Sequence, residues 1–255
     1  MRKCLIVFSL SLCIGLLMGC ASTTAVKEAK LDVTLITDDQ KELQAIFYPP
    51  RFPKVAGVIL LPDTRCDCRD FGTIPSKLNE EGIAVLAMDF RYKDLISKTK
   101  SREEAVSAIQ KQNLNLLVDH DVKAALHFMS KQEWVNPERI CLIGTSLGSR
   151  IALVAGSKYK VNGLVLVSLS GEEALPGGKP IKSLLKDYGE HPILFITAEQ
   201  DWGGDYKAPA NNKQYFEWAS RPKQLKIWPG AGHGAELIEP QERLEFLIQW
   251  LREQM

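Results

Sequence analysis

Charge of one sign is what this sequence lacks most. It sets 32 Lys and Arg against 31 Asp and Glu in 255 residues, a formal net charge of +1. That balance leaves no electrostatic footprint for nucleic acid. Internal repeats and low-complexity tracts are also missing, which excludes solenoids and biased linkers. Cysteine is sparse at six residues and forms no disulfide framework. Histidine is sparser still at four, so any chemistry that needs an imidazole has few places to find one. No apolar run reaches the roughly 20 residues that a bilayer core requires. The stretch from Cys4 to Met18 covers 15.

What is present begins with that stretch. "MRKCLIVFSLSLCIGLLMGC" places Arg2 and Lys3 before an apolar run that ends in small residues, the pattern of a secretory signal peptide. Its end, "LMGC", resembles the lipobox of bacterial lipoproteins, with Leu17 at −3, Gly19 at −1 and Cys20 first in the mature chain. The resemblance implies cleavage before Cys20, acylation of its thiol and amine, and an anchor in the cell envelope. Ala21, rather than Asp, implies the outer membrane. Several acyl chains, at about 0.8 kcal/mol per buried methylene, hold where one chain binds only reversibly. Residues 1–19 therefore read as signal, 20–30 as lipidated cysteine and polar tether, and 31–255 as the folded domain. Beyond Cys20 the mature chain keeps Cys66, Cys68 and Cys141. That odd number leaves at least one free thiol or an intermolecular bond.

The domain alternates strand and helix patterns. "VTLI" and "QAIFY" read as a hairpin. "VAGVILLP" (55–62) and "IAVLAMDF" (83–90) are apolar runs of the kind buried on both faces of a sheet. "RICLIG", "GLVLVSLS", "PILFITAE" and "QLKIW" (224–228) supply four more strands. Helical periodicity runs from about Arg102 to Lys131, then through "IKSLLKDYG", "NKQYFEWAS" (212–220) and a last helix carrying Leu244, Leu247, Ile248 and Leu251. This order predicts a parallel, doubly wound α/β sheet with helices on both faces. Only the segment at about 171–191 offers a lid, and it is small.

"GTSLG" (144–148) stands between a strand and a helix. A G-x-S-x-G turn there is so sharp that larger residues two positions either side of the serine would collide with helix and strand. The strain lifts the Ser146 hydroxyl above the sheet edge and sets the Leu147 amide, at a helix N-terminus, beside a developing oxyanion. A serine hydroxyl needs a base. His120 and His127 lie in the long helix, and His191 starts a strand at the wrong end. His233, in the glycine-rich "PGAGHGAE" after the last strand, is at the carboxyl ends, where such folds build sites. Asp201, after "PILFITAEQ", can orient it, with Glu199 and Asp205 as competitors.

The order Ser146, Asp201, His233 is that of α/β-hydrolases. Over residues 31–255 the chain resembles their small, lidless esterases, similar to dienelactone hydrolases, through "GTSLGS", "ITAEQD", "GAGHG", "VILLPD" and "GIAVLAMDFR". The resemblance implies an eight-stranded, mostly parallel sheet, hydrolysis of a small-molecule acyl substrate through an acyl-serine, and no metal or organic cofactor. The dienelactone members proper use cysteine where this chain has Ser146. Many relatives carry His-Gly after the third strand, and the following amide completes the oxyanion hole. Here the residues are Pro62 and Asp63, so the resemblance carries that role to the Thr64 amide, with Arg65 as alternative. Asp63 is expected to turn away, capping its loop or pairing with Arg65 or Arg69. Two other readings remain at this stage: a membrane-anchored binding or scaffold protein with a hydrolase-like cleft, and a peptidase or thioesterase on the same triad. Cys66 and Cys68 are too close for an unstrained disulfide and lack further partners for a metal. Trp202, Tyr92 and Trp134 can line a pocket or simply pack.

Overall fold

A computed structural model describes residues 30–202 and 207–255. The signal segment, Cys20 with its tether to residue 29, and Asp205 lie outside the described residues. The strands are β1 (Leu31–Ile36), β2 (Glu42–Tyr48), β3 (Val55–Leu61), β4 (Ala84–Met88), β5 (Val135–Thr145), β6 (Gly163–Val167), β7 (Ile193–Gln200) and β8 (Lys223–Ala231). The helices are α1 (Ile74–Glu80), α2 (Lys93–Ile96), α3 (Arg102–Gln110), α4 (Lys123–Ser130), α5 (Leu147–Lys158), α6 (Ile181–Tyr188), α7 (Ala208–Trp218) and α8 (Gln241–Gln254).

The strands form one sheet in the order β1-β2-β4-β3-β5-β6-β7-β8. The pairings β1–β2 and β2–β4 are antiparallel, and every later pairing is parallel. The apolar runs occupy the middle because both their faces are covered: Val58 to Leu61 and Ala84 to Met88 have no exposed surface. Alternate side chains of these strands feed two cores. Ile59, Leu61, Leu142 and Phe195 pack under α4, α5 and α6. Val58, Leu60, Ile143 and Ile196 pack under α1 and α8. The chain runs from β3 outward to β4 and then crosses to β5 on the other side of β3. Open α/β sheets bind ligands at such a reversal, outside the carboxyl ends of the strands.

The long helix expected from Arg102 to Lys131 is broken in two. α3 ends at Gln110, and the Asn113 side chain accepts from the Asn115 amide, a local bond that competes with helix propagation. The chain resumes as a π-turn, Leu117–Val122, which passes into α4. Its extra residue turns Asp121 inward, fully buried, onto Arg91: Oδ2 accepts from the backbone N–H at 2.9 Å and Oδ1 from Nε at 2.7 Å. Burial outweighs the guanidinium and pushes the Asp121 carboxyl up to about 6.

Candidate active site

β5 delivers its last residue, Thr145, to the sheet edge, and α5 starts two residues later. The turn between them is held by Ser146, with φ +52° and ψ −109°. That is a conformation non-glycine residues rarely adopt, and here the surrounding packing enforces it. A Cβ on Gly144 would lie 2.2 Å from the Gly148 carbonyl oxygen, and one on Gly148 would lie 2.1 Å from that of Leu61. The glycines are thus required by the approach of helix to strand. The Ser146 amide donates to the Val167 carbonyl (2.9 Å), and its carbonyl accepts from the Ser149 and Arg150 amides. The Leu147 amide, first in α5, meets no acceptor among the described residues.

Asp201 follows β7 and His233 follows β8. Both are buried, and Asp201 Oδ1 lies 2.6 Å from His233 Nδ1. The Thr197 hydroxyl, inside β7, donates to the other Asp201 oxygen at 3.0 Å. The Gly234 amide donates to Ser168 Oγ at 2.9 Å and so fixes the loop that carries the imidazole. Ser168 itself has φ +58°. Trp202 stacks on the His233 ring, centroids 4.1 Å apart and planes inclined by 32°. Sequence reasoning missed Thr197 and Ser168. The signal available for Thr197 is a polar residue inside an apolar strand, four positions before Asp201.

The other imidazole nitrogen has a second carboxylate near it. Asp63 Oδ2 lies 3.7 Å from His233 Nε2, and Asp63 Oδ1 accepts from the Thr64 amide at 2.5 Å. Asp63 therefore caps its loop as expected, but it does so while turned into the site. Arg69, one of the two expected partners, reaches Asp32 instead, at 3.5 Å. The reason is local, since the Thr64 N–H is the nearest donor to a carboxylate at that turn. The Thr64 amide is thus occupied in this structure, while the Leu147 amide is not. Among the described residues the Ser146 hydroxyl takes no hydrogen bond.

A cavity of about 340 Å³ opens beside these groups, lined by Asp63, Phe71, Thr145, Trp202, His233 and Glu239. Glu199, near the end of β7, is exposed. His120 pairs with Asp38, His127 lies on α4, and His191 precedes β7 at the opposite end of the sheet. Tyr92 donates to the Asn113 carbonyl at 3.0 Å, and exposed Trp134 precedes β5, far from Ser146.

Cys68 and Cys141 are buried free thiols. Burial, with Asp89 beside it, pushes the Cys68 thiol up to about 12, and burial alone raises Cys141. Among the described residues, two groups bring metal-type donors together: Asp67, Cys68 and Asp89, and Asp38, Asp39 and His120. Each already holds basic side chains, Lys93 in the first, Arg91 and Lys123 in the second.

Comparison with known proteins agrees with this architecture. The model of the dienelactone hydrolase family matches residues 43–241. An uncharacterized protein of Mycobacterium tuberculosis is 26% identical over 250 residues, covering 91% of this chain and 83% of that one. A dienelactone hydrolase from Anabaena variabilis superposes with a TM-score of 0.62 at 20% identity, over 89% of this chain and 96% of its own. A cold-adapted esterase from an Arctic intertidal metagenomic library gives 0.64 at 15% identity, over 88% and 93%.

Proposed function

The chain belongs to the dienelactone hydrolase family, and from that premise we propose that it is a serine hydrolase of carboxylic esters or related acyl bonds. The buried Asp201–His233 pair, on the loops after β7 and β8, together with a strained Ser146 at the carboxyl end of β5, is the observation that supports the reading. Ser146 Oγ attacks the acyl carbon while its proton passes to His233 Nε2. Asp201 holds the ring through Nδ1 and stabilises the imidazolium. The carbonyl oxygen, now an oxyanion, takes the unengaged Leu147 amide at the start of α5 and the Thr64 amide once Asp63 yields it. Collapse breaks the bond to the leaving group, which departs with the proton from Nε2. Water, deprotonated by the same nitrogen, then releases the acid and restores Ser146.

The acylated Cys20 of the lipobox reading belongs to this proposal: the hydrolase is held at a membrane by its N-terminal lipid. A second reading is favoured by one observation, the Asp63 carboxylate seated on the Thr64 amide. If that contact never opens, the domain is a binding protein with a hydrolase-like cleft.

One experiment separates the two. The chain from Ser22 onward and its Ser146→Ala variant are treated with a fluorophosphonate and weighed intact. The hydrolase reading expects one adduct on the wild type and none on the variant, at unchanged melting temperature. No adduct on folded wild type moves the binding reading forward.

A further inference from the structure

We propose that the end of the sheet opposite Ser146 is a membrane-docking face, which rests on the bilayer that the N-terminal lipid anchors. The inference rests on the Cys20 anchor reading and adds an orientation to it. Three observations meet at this end of the fold.

The first is where the chain arrives. β1 begins at Leu31, which pairs with Phe47, next to the end of β2. The polypeptide therefore enters beside the loop at residues 49–54, with only residues 21–30 between β1 and Cys20. Ten residues span at most about 35 Å, so the anchor keeps this end near the lipid.

The second is what that end exposes. Phe52 is 67% exposed and Trp134 is 47% exposed. Their loops adjoin, because the Val55 amide donates to the Trp134 carbonyl at 2.9 Å. Exposed aromatic side chains on neighbouring loops suit the headgroup level of a bilayer, where tryptophan is enriched.

The third is charge. The loop "PPRFPK" (49–54) brackets Phe52 with exposed Arg51 and Lys54 and contains no acid. Basic residues near a surface are drawn to anionic lipid. The opposite end carries the reverse: Asp63, Asp70, Glu236 and Glu239 line the cavity beside His233, against Arg65. The β2–β3 loop is thus locally basic, although exposed Glu133 precedes Trp134 on the neighbouring segment, while acids outnumber bases beside His233.

β5 connects the two ends. It starts at Val135, next to Trp134, and finishes at Thr145, next to Ser146. β5 bulges between Val135 and Ile140, so its reach is that of its partner β3, and seven residues at 3.2–3.4 Å each hold the site roughly 20–25 Å above the docked loops. The cleft then opens to the aqueous compartment, and its substrate arrives in solution rather than from the acyl chains of the same bilayer.

The test uses the full lipidated chain in phosphatidylethanolamine–phosphatidylglycerol vesicles whose acyl chains carry bromine, a short-range quencher of indole emission. Flotation and intact mass first read the anchor itself. A chain that leaves the vesicles with Cys20 unmodified overturns the anchor and the docking together. For a chain that floats with the vesicles, docking expects quenched emission in wild type. That quenched part should disappear in Trp134→Phe and shrink in Phe52→Ser, which keeps its fluorophosphonate labelling. An anchored chain without quenching, or with quenching that survives Trp134→Phe, overturns the docking face alone and leaves a domain floating on its tether.

Discussion

Asp63 is the residue on which the site turns. Its two oxygens touch two groups that acyl transfer needs, the Thr64 amide and the outer nitrogen of His233. A negative charge there opposes an oxyanion directly. Asp63→Asn keeps the side chain's size and removes that charge. We expect fluorophosphonate labelling of Ser146 to speed up roughly tenfold, about 1.4 kcal/mol of barrier. A slower rate would mean that the carboxylate assists His233 instead. Thr197 acts at the far side of the same relay, through Asp201. Thr197→Val removes a buried donor to Asp201 Oδ2. Urea unfolding should show a loss of about 1–3 kcal/mol, with a lower labelling rate. At this scale the sequence displayed residue types and spacing, so Ser146, Asp201 and His233 stood out. The direction in which Asp63 points did not, because it depends on a rotamer and on which donor lies nearest in space.

Among elements, the turn from β5 into α5 is the most constrained. The spacing G-T-S-L-G announces it because steric exclusion by backbone acts through chain geometry alone. Gly148→Ala places a methyl group 2.1 Å from the Leu61 oxygen. Neither strand nor helix can retreat without opening both cores. Chemical denaturation should show a cost at the upper end of overpacking, about 3 kcal/mol, and Ser146 should lose its labelling as well. The helix between residues 102 and 131 shows the opposite case. Its apolar stripe starts only at Leu114, yet uniform helical propensity across the whole stretch hides the break. What interrupts it is an Asn113 side-chain bond and a π-turn selected by the buried Asp121–Arg91 contact. Both are tertiary or local polar effects that hydrophobic period does not register. The strands, by contrast, were legible with ends shifted by a residue or a few, because runs buried on both faces can hardly be anything else in an alternating chain.

For the whole molecule, pH enters through Asp121. Its folded pKa, about 6, lies above the ordinary 3.8. The native state thus holds the proton more tightly than the unfolded chain. This contribution to stability is full below about pH 3.8 and is lost as pH rises through 6. Asp121→Asn cannot titrate; it also loses one of the two acceptors that hold Arg91, a cost that does not vary with the protonation of Asp121. Between pH 7 and pH 4 wild type should gain on the variant by up to about 3 kcal/mol, measured as the difference in urea midpoints at each pH. An unchanged difference would place the carboxyl in the ordinary range.

Strand order also sets a clock. β3 lies between β4 and β5, and its second neighbour is complete only at Thr145, 84 residues after Leu61. At about 5–20 residues per second of synthesis, the apolar run of β3 waits roughly 4–17 s for that partner. During this interval one edge of the future sheet centre has nothing to pair with, and contacts so distant in sequence close slowly in any case. Any cell that makes this chain must keep that segment from pairing with others until the middle of the molecule has been translated.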